Sequence, residues 1–124
     1  MPKANVYDRG CPSRGILALI GGKWSMLSLC ALRAGPRRTH ELKRRLAGVS
    51  AKMLTQTLRD LERHGLVARR VYNTVPPRVE YRLTPLGRSL AALVNRIELW
   101  VTANYSRMTL AADARAAPER AQVP

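Results

Sequence analysis

The fold of this chain follows from one stretch of sequence, VSAKMLTQTLRDLERHGL, which spans residues 49–66. At about 100° of rotation per residue, Leu54, Leu58 and Leu61 fall on one narrow face of a helix. The opposite face carries long cationic and amide side chains, namely Lys52, Gln56, Arg59 and Arg63. Such a face is typical of a solvated surface helix and also of a helix that contacts phosphates and base edges. The pattern therefore predicts a helix with one buried side and leaves the role of its other side open.

The flanking residues define both ends of this helix and the element before it. Ser50 stands at the N-cap, where its hydroxyl can accept a hydrogen bond from a first-turn amide, and Gly65 is placed to end the helix in a left-handed conformation. A two-turn helix is predicted over residues 39–46, with its leucines inward and its cationic residues outward. The turn at 47–49 has the length that joins the two helices of a helix-turn-helix.

The hydrophobic period changes from helical to alternating after Gly65. Side chains alternate over residues 67–72 and again over 78–83, and residues 73–77 join the two runs with a loop that contains two prolines. This pattern predicts a basic β-hairpin directly after the helix-turn-helix. We therefore predict an α+β, mostly α fold: a winged helix-turn-helix domain with an N-terminal helix and a long C-terminal dimerisation helix.

Positive charge is concentrated in the middle of the chain. The 124 residues carry a formal net charge of +14. Between Arg33 and Arg82, thirteen Lys or Arg stand against four Asp or Glu, a net charge of +9 for this segment. A polyanion such as double-stranded DNA is the natural partner of this field. An anionic membrane surface fits less well, because the cationic residues occupy several elements and not one amphipathic helix.

Composition also limits the class of protein. With 46% hydrophobic residues the chain is expected to fold, and no apolar run has the length of a membrane span or the character of a secretory signal, so we expect a cytoplasmic protein. Cys11 and Cys30 are too few for a disulfide framework or a zinc site, and we predict no metal and no cofactor. His40 and His64 lack a carboxylate or cysteine at useful spacing, so the chain is not predicted to be an enzyme.

The two ends of the chain are predicted to be flexible, and the helices next to them are predicted to form a dimer. Residues 1–10 are predicted to be a flexible basic arm, and 106–124 a disordered tail. Helices are predicted at about 11–21, at 23–34, where the apolar residues should be covered on most sides, and at 84–105. The last helix keeps an apolar stripe that is longer than a small core can cover, so we expect it to pair, together with 11–21, with a second copy. The stripe consists of Leu86, Leu90, Leu93, Ile97, Trp100 and Val101.

Several motifs, in order along the chain, resemble one bacterial family. They are LIGGKW at 19–24, SAKMLTQ at 50–56 and VPPRVEY at 75–81, within a match that runs from Cys11 to about Trp100. The chain is similar in these motifs to the HxlR-type family of bacterial winged-helix transcriptional regulators. The resemblance implies a homodimer that binds operator DNA near its own or a neighbouring gene. Many members respond to electrophiles, oxidants or small toxic metabolites, some through a cysteine at the place of Cys11.

A winged helix of this kind predicts a set of DNA-contacting residues. Lys52 and Gln56 are expected to lie nearest the base edges, and Arg59 is expected to reach a phosphate. For Arg63 and Arg69, contact with DNA and simple exposure to solvent are equally good interpretations. The acids Glu62 and Glu80 are expected to hold nearby arginines. The predicted set is Arg37, Arg38, Ser50, Lys52, Met53, Gln56, Thr57, Arg59, Arg70, Tyr72 and Arg78.

Cys11 is a candidate for redox sensing. It begins a helix beside Arg9 and Arg14, and both the helix dipole and the cations would stabilise a thiolate. A buried thiol without a redox role is the alternative, and Cys30 is interpreted as a packing residue. A small-molecule effector held between the first and last helices is a second possible trigger. For the whole chain, the alternative is a non-sensing basic architectural or RNA-binding protein.

Overall fold

The winged helix-turn-helix architecture is confirmed by a computed structural model, which describes residues 3–122, with side chains to residue 116. The elements in chain order are α1 (Pro12–Ile20), α2 (Lys23–Ala31), a 3₁₀ turn (Leu32–Ala34), β1 (Arg37–Arg38), α3 (Thr39–Arg45), α4 (Ala51–Arg63), β2 (Val67–Tyr72), β3 (Arg78–Leu83) and α5 (Pro85–Gln122). Two compact units divide the chain, one ending at Val94 and one beginning at Asn95.

Helix α4 has the buried side and the ends that its sequence predicts. Leu54, Leu58 and Leu61 are fully buried in the core of the first unit, and burial of each contributes about 2 kcal/mol. The Ser50 hydroxyl accepts a hydrogen bond from the Met53 N–H at 3.0 Å, so the predicted cap is confirmed. These contacts fix α4 to the body of the domain and leave its other side exposed.

The sheet contains one strand more than predicted. Strands β2 and β3 form the expected antiparallel hairpin, but Arg37 and Arg38 form a third strand, which pairs with Tyr81 and Glu80 of β3. The sequence predicts no strand at these two arginines. Two residues are too few to show an alternating pattern, so only the pairing with β3 identifies them as a strand.

The start of α5 is locked onto the turn between α4 and β2. The Thr84 hydroxyl donates to the Gly65 carbonyl at 2.6 Å and accepts from the Gly87 N–H at 3.0 Å, so Thr84 caps the first turn of α5. A Cβ atom added to Gly87 would overlap the Leu66 carbonyl oxygen and would lie 2.8 Å from its carbon. Glycine at position 87 therefore allows two backbone segments to approach more closely than any other residue would permit.

Two helix predictions need correction. Helix α5 continues to Gln122, although we predicted that it ends near Tyr105 and that a disordered tail follows from 106. The sequence after 105 lacks an apolar stripe, but its many alanines favour a helix. Helix α2 ends at Ala31, and the 3₁₀ turn follows it, whereas one helix was predicted to run to 34. We also expected the apolar residues of α2 to be covered on most sides, but Leu27 is 40% exposed. Both errors concern the extent of an element and not its type.

None of the helices among the described residues is by itself long and apolar enough to cross a membrane. One bent pair of helices, Pro12–Ile20 with Lys23–Ala34, has the length and apolar composition of a span only when the two helices are taken together.

Candidate nucleic-acid interface

The outer side of α4 presents the long polar side chains that the sequence predicts. Lys52, Gln56 and Arg59 are exposed, and Met53 is 47% exposed beside them. Among the side chains described up to residue 116, those of Lys52 and Arg59 make no hydrogen bond and no ion pair. Both cations are therefore available to an external anion without loss of an internal partner.

Asp60 organises the other polar residues of this side. Its Oδ1 accepts from Gln56 Nε2 at 3.1 Å and from an Arg63 guanidinium nitrogen at 3.0 Å. The bond to Gln56 uses the amide nitrogen and leaves the amide oxygen as an outward acceptor. The sequence prediction omitted Asp60 from the site, although its spacings of four and three residues from Gln56 and Arg63 are those of helical neighbours.

Thr57 must be removed from the predicted contact set. Its side chain is only 6% exposed, and its hydroxyl donates to the Met53 carbonyl at 2.8 Å. Thr57 lies between the buried leucine face and the exposed polar face, where a period of 3.6 residues does not settle the side of a borderline residue. The short side chain turns back to its own helix and cannot reach a ligand.

The hairpin of β2 and β3 carries an ordered cationic cluster. The Arg78 guanidinium lies 4.1 Å from the centre of the Tyr72 ring, and that of Arg70 lies 4.8 Å from it. The Tyr72 hydroxyl donates to Glu80 Oε1 at 3.2 Å. Among the described side chains, Glu80 thus binds a tyrosine and forms no ion pair with the nearby arginines that it was predicted to hold. Tyr72 in turn holds the two arginines through its ring face.

The remaining predicted ion pair is present in an exposed form. Glu62 Oε2 lies 3.8 Å from Arg69 Nε, and the two side chains are 37% and 50% exposed. An exposed pair at this distance contributes little to stability. It nevertheless gives Arg69 an internal partner, as the sequence predicts for Glu62.

The two arginines of β1 lie on different sides of α3. Arg38 lines a cleft of about 730 Å³ together with His40 and Lys43 of α3 and with Arg78 of the hairpin. Arg37 lines a different cleft, with Arg44 and Arg45. Successive residues of a strand point to opposite faces, which explains the separation. The structure therefore places Arg38 beside the hairpin and adds His40 and Lys43, which the prediction omitted, but it does not bring Arg37 there.

The Cys11 thiol is perturbed by hydrogen bonds and not by the predicted cations. Its Sγ lies 3.4 Å from the Asn5 N–H, which donates to it, and 3.0 Å from the Ser13 hydroxyl. The Asn5 N–H first, and then the Ser13 hydroxyl and N–H, hold the pKa of the Cys11 thiol below its ordinary value. The causes do not include Arg9 or Arg14, so the predicted effect of these cations is not supported.

The apolar stripe of α5 is mostly exposed in the single chain. Leu90 is half-buried against the core of the first unit. The other predicted stripe residues are between 45% and 60% exposed, namely Leu86, Leu93, Ile97, Trp100 and Val101. Large exposed apolar side chains at regular helical spacing are typical of a surface that a partner covers.

Comparison with known proteins supplies the family. The model of the HxlR-like helix-turn-helix family matches residues 19–109, which is most of the chain. The chain belongs to the HxlR-like helix-turn-helix family. The HTH-type transcriptional regulator YtfH of Escherichia coli is 40% identical over 117 residues, which cover 94% of this chain and 93% of YtfH.

Solved structures of HxlR-like relatives agree with this assignment. The structure of ytfH from Salmonella typhimurium has a TM-score of 0.86 and 39% identity, and covers 90% of this chain and 99% of that one. The redox regulator HypR in its oxidised form has a TM-score of 0.70 and 40% identity, and the match covers 76% of this chain and 97% of the HypR chain. The chain is thus one of a family of helix-turn-helix transcriptional regulators.

Proposed function

We propose that the chain is a homodimeric regulator that binds a specific operator, an inverted repeat, in double-stranded DNA. In this proposal each copy lays α4 in a major groove, with Lys52 and Gln56 at base edges and Arg59 at a phosphate. The observation that carries the proposal is the outer side of α4, which is rigidly fixed by its buried leucines and exposes cations that lack internal partners.

The hairpin and the start of α3 would contact the DNA backbone beside that groove. Arg38, His40 and Lys43 share a cleft with Arg78, and phosphate contacts of this kind set the position of a protein on DNA. Tyr72 supports Arg78 through its ring, so we assign Tyr72 to positioning and Arg70 and Arg78 to contact. The Ser50 hydroxyl, which accepts from Met53, can still donate to a phosphate.

Dimerisation is proposed from the exposed apolar surface of α5. Exposure of these large apolar side chains to water is unfavourable, and a partner that buries them would stabilise the protein. The simplest partner is the same helix of a second copy. A two-fold axis would then present two α4 helices to half-sites about 34 Å apart on the duplex.

A competition experiment tests the proposal against its main alternative. The wild-type chain is bound to labelled DNA from upstream of its own gene, and unlabelled upstream or random DNA of equal length is added. We expect random DNA to compete about a thousandfold less well than upstream DNA, a ratio within the usual range of specificity for DNA-binding proteins. Equal competition by the two DNAs would instead support a non-sensing architectural protein.

A redox response through Cys11 is a further part of the proposal. Its lowered pKa increases the thiolate fraction near neutral pH, and the thiolate is the form that reacts with oxidants and electrophiles. We expect alkylation of Cys11 by iodoacetamide, measured in a Cys30→Ser background, to rise with pH around a midpoint below the ordinary thiol value of 9.0. Replacement of Ser13 by alanine removes a hydrogen bond to the thiolate and should move this midpoint upward.

Two outcomes would argue against thiol sensing. An alkylation midpoint at the ordinary thiol value, unchanged in the Ser13→Ala variant, would show that the hydrogen bonds do not stabilise the thiolate. DNA affinity that diamide leaves unchanged in the wild type and in a Cys11→Ser variant alike would favour a small-molecule effector as the trigger.

A further inference from the structure

A second cationic cleft lies on the side of α3 away from the hairpin. We call it the Arg44 cleft; it has a volume of about 520 Å³ and is lined by Cys30, Ala31, Ala34, Arg37, Glu41, Leu42, Arg44 and Arg45. It shares no lining residue with the cleft that contains Arg38, His40 and Lys43. The alternation of β1 and the two faces of α3 therefore divide the basic residues of this region into two separate groups.

The arginines of the Arg44 cleft are not held in ion pairs. Among the side chains that the structure describes, residues 3–116, Arg37, Arg44 and Arg45 form no ion pair. The only acid in the lining is Glu41, whose Oε1 accepts from the Arg38 N–H at 2.9 Å. This hydrogen bond, and next the charge of Arg37, hold the pKa of Glu41 below its usual range, so Glu41 is ionised. Three guanidinium groups against one carboxylate leave the cleft with an excess of two positive charges.

The floor of the Arg44 cleft is apolar. Cys30 and Ala31 of α2 are half-buried there and pack against the core, and Ala34 completes this surface. An apolar floor under a cationic rim matches a molecule that has an apolar body and an anionic end. A volume of this size is also within the usual range for small organic ligands, which is about 300–1,000 Å³.

We propose that the Arg44 cleft is a binding site for a small amphipathic anion, an organic carboxylate with an aromatic or short aliphatic body. Arginine binds a carboxylate through two parallel hydrogen bonds, and three arginines around one concave surface would place the carboxylate at the rim and its apolar body on the alanines. The site is separate from the proposed DNA interface, and the proposal holds whether or not the chain binds an operator.

Calorimetric titration of the full chain with naphthalene-2-carboxylate tests the site without DNA. We expect one saturable site per chain with a Kd of about 1 mM or below. The neutral, nearly isosteric naphthalene-2-carboxamide should bind at least about tenfold more weakly, because it lacks the charge that the arginines recognise. Inorganic phosphate should also bind more weakly, because it has no apolar body.

Paired variants locate the site on the cleft. The double substitution Arg44→Gln and Arg45→Gln should weaken naphthalene-2-carboxylate binding by about tenfold or more. Lys43→Gln is the matched control, since Lys43 is an exposed cation of the same helix that lines the other cleft, and its binding should equal that of the wild type. Thermal unfolding of each variant, compared with the wild type, tests whether the variant is folded.

Several results would overturn the proposal. They are the absence of saturable binding up to about 10 mM carboxylate, equal affinity for the carboxamide, phosphate binding as tight as that of the carboxylate, or an equal loss in the Lys43→Gln variant. Unchanged binding in a folded Arg44→Gln and Arg45→Gln variant would place the ligand elsewhere on the protein and would also refute it.

Discussion

Replacement of both Lys52 and Gln56 by alanine is expected to lower operator affinity by about a hundredfold or more. Each well-placed base contact contributes about 1–3 kcal/mol of discrimination, and a dimer would lose the contacts of both copies. Affinity for random DNA should fall much less, because most of it comes from phosphate contacts elsewhere. Both side chains are exposed, so the variant should fold and unfold as the wild type does.

Fluorescence anisotropy with upstream and random DNA measures both affinities. Arg59→Ala is the informative comparison, since loss of a phosphate contact should weaken both complexes to a similar extent and reduce the salt dependence. Arg33→Ala, which removes an exposed charge from the 3₁₀ turn, controls for net charge alone. Operator affinity that survives in the Lys52 and Gln56 double variant would refute the assignment of this side of α4 to the major groove.

Gly87→Ala is expected to destabilise the fold by about 3 kcal/mol or more. The new Cβ would overlap the Leu66 carbonyl oxygen, which is also the acceptor for the Thr84 N–H at 3.1 Å. Relief of the overlap requires the start of α5 to move away from the turn after α4, and the hydrogen bonds of Thr84 to Gly65 and Leu66 would then be lost. Thermal unfolding at matched chain concentration should show a fall in Tm of about 10 °C or more.

Gly15→Ala is the matched control for this substitution. Gly15 is also a helical glycine, but a Cβ placed there meets no atom within 4 Å. Alanine has the higher helix propensity, so this variant should be as stable as the wild type or slightly more stable. Equal Tm values for the Gly87 and Gly15 variants would show that the close approach of α5 to Leu66 is not a constraint.

The sequence predicts most of the α4 region because several independent signals agree there. The leucine spacing, the Ser50 cap and the position of Gly65 all specify the same helix, and each is confirmed. The hairpin is predicted for a similar reason, since two alternating runs flank a proline-containing loop. Where the hydrophobic period, the caps and the turn residues coincide, local sequence is sufficient to define an element.

The errors occur where local sequence carries no signal. Strand β1 exists only through its pairing with β3, and that pairing is what sends Arg37 and Arg38 to different clefts. Thr57 lies at the boundary between the two faces of α4, so its burial depends on the packing around it. The roles of Tyr72 and Asp60 as partners of neighbouring polar side chains also depend on side-chain geometry.

The central claim is that two copies present their α4 helices to one duplex, and tethered cleavage tests it most directly. An iron chelate attached at Ala51→Cys, an exposed position at the start of α4, would cut nearby DNA in a background without Cys11 and Cys30. Two clusters of cuts are expected on the upstream DNA, one in each half-site, about 34 Å apart. A single cluster, or cuts spread evenly along the duplex, would contradict this claim.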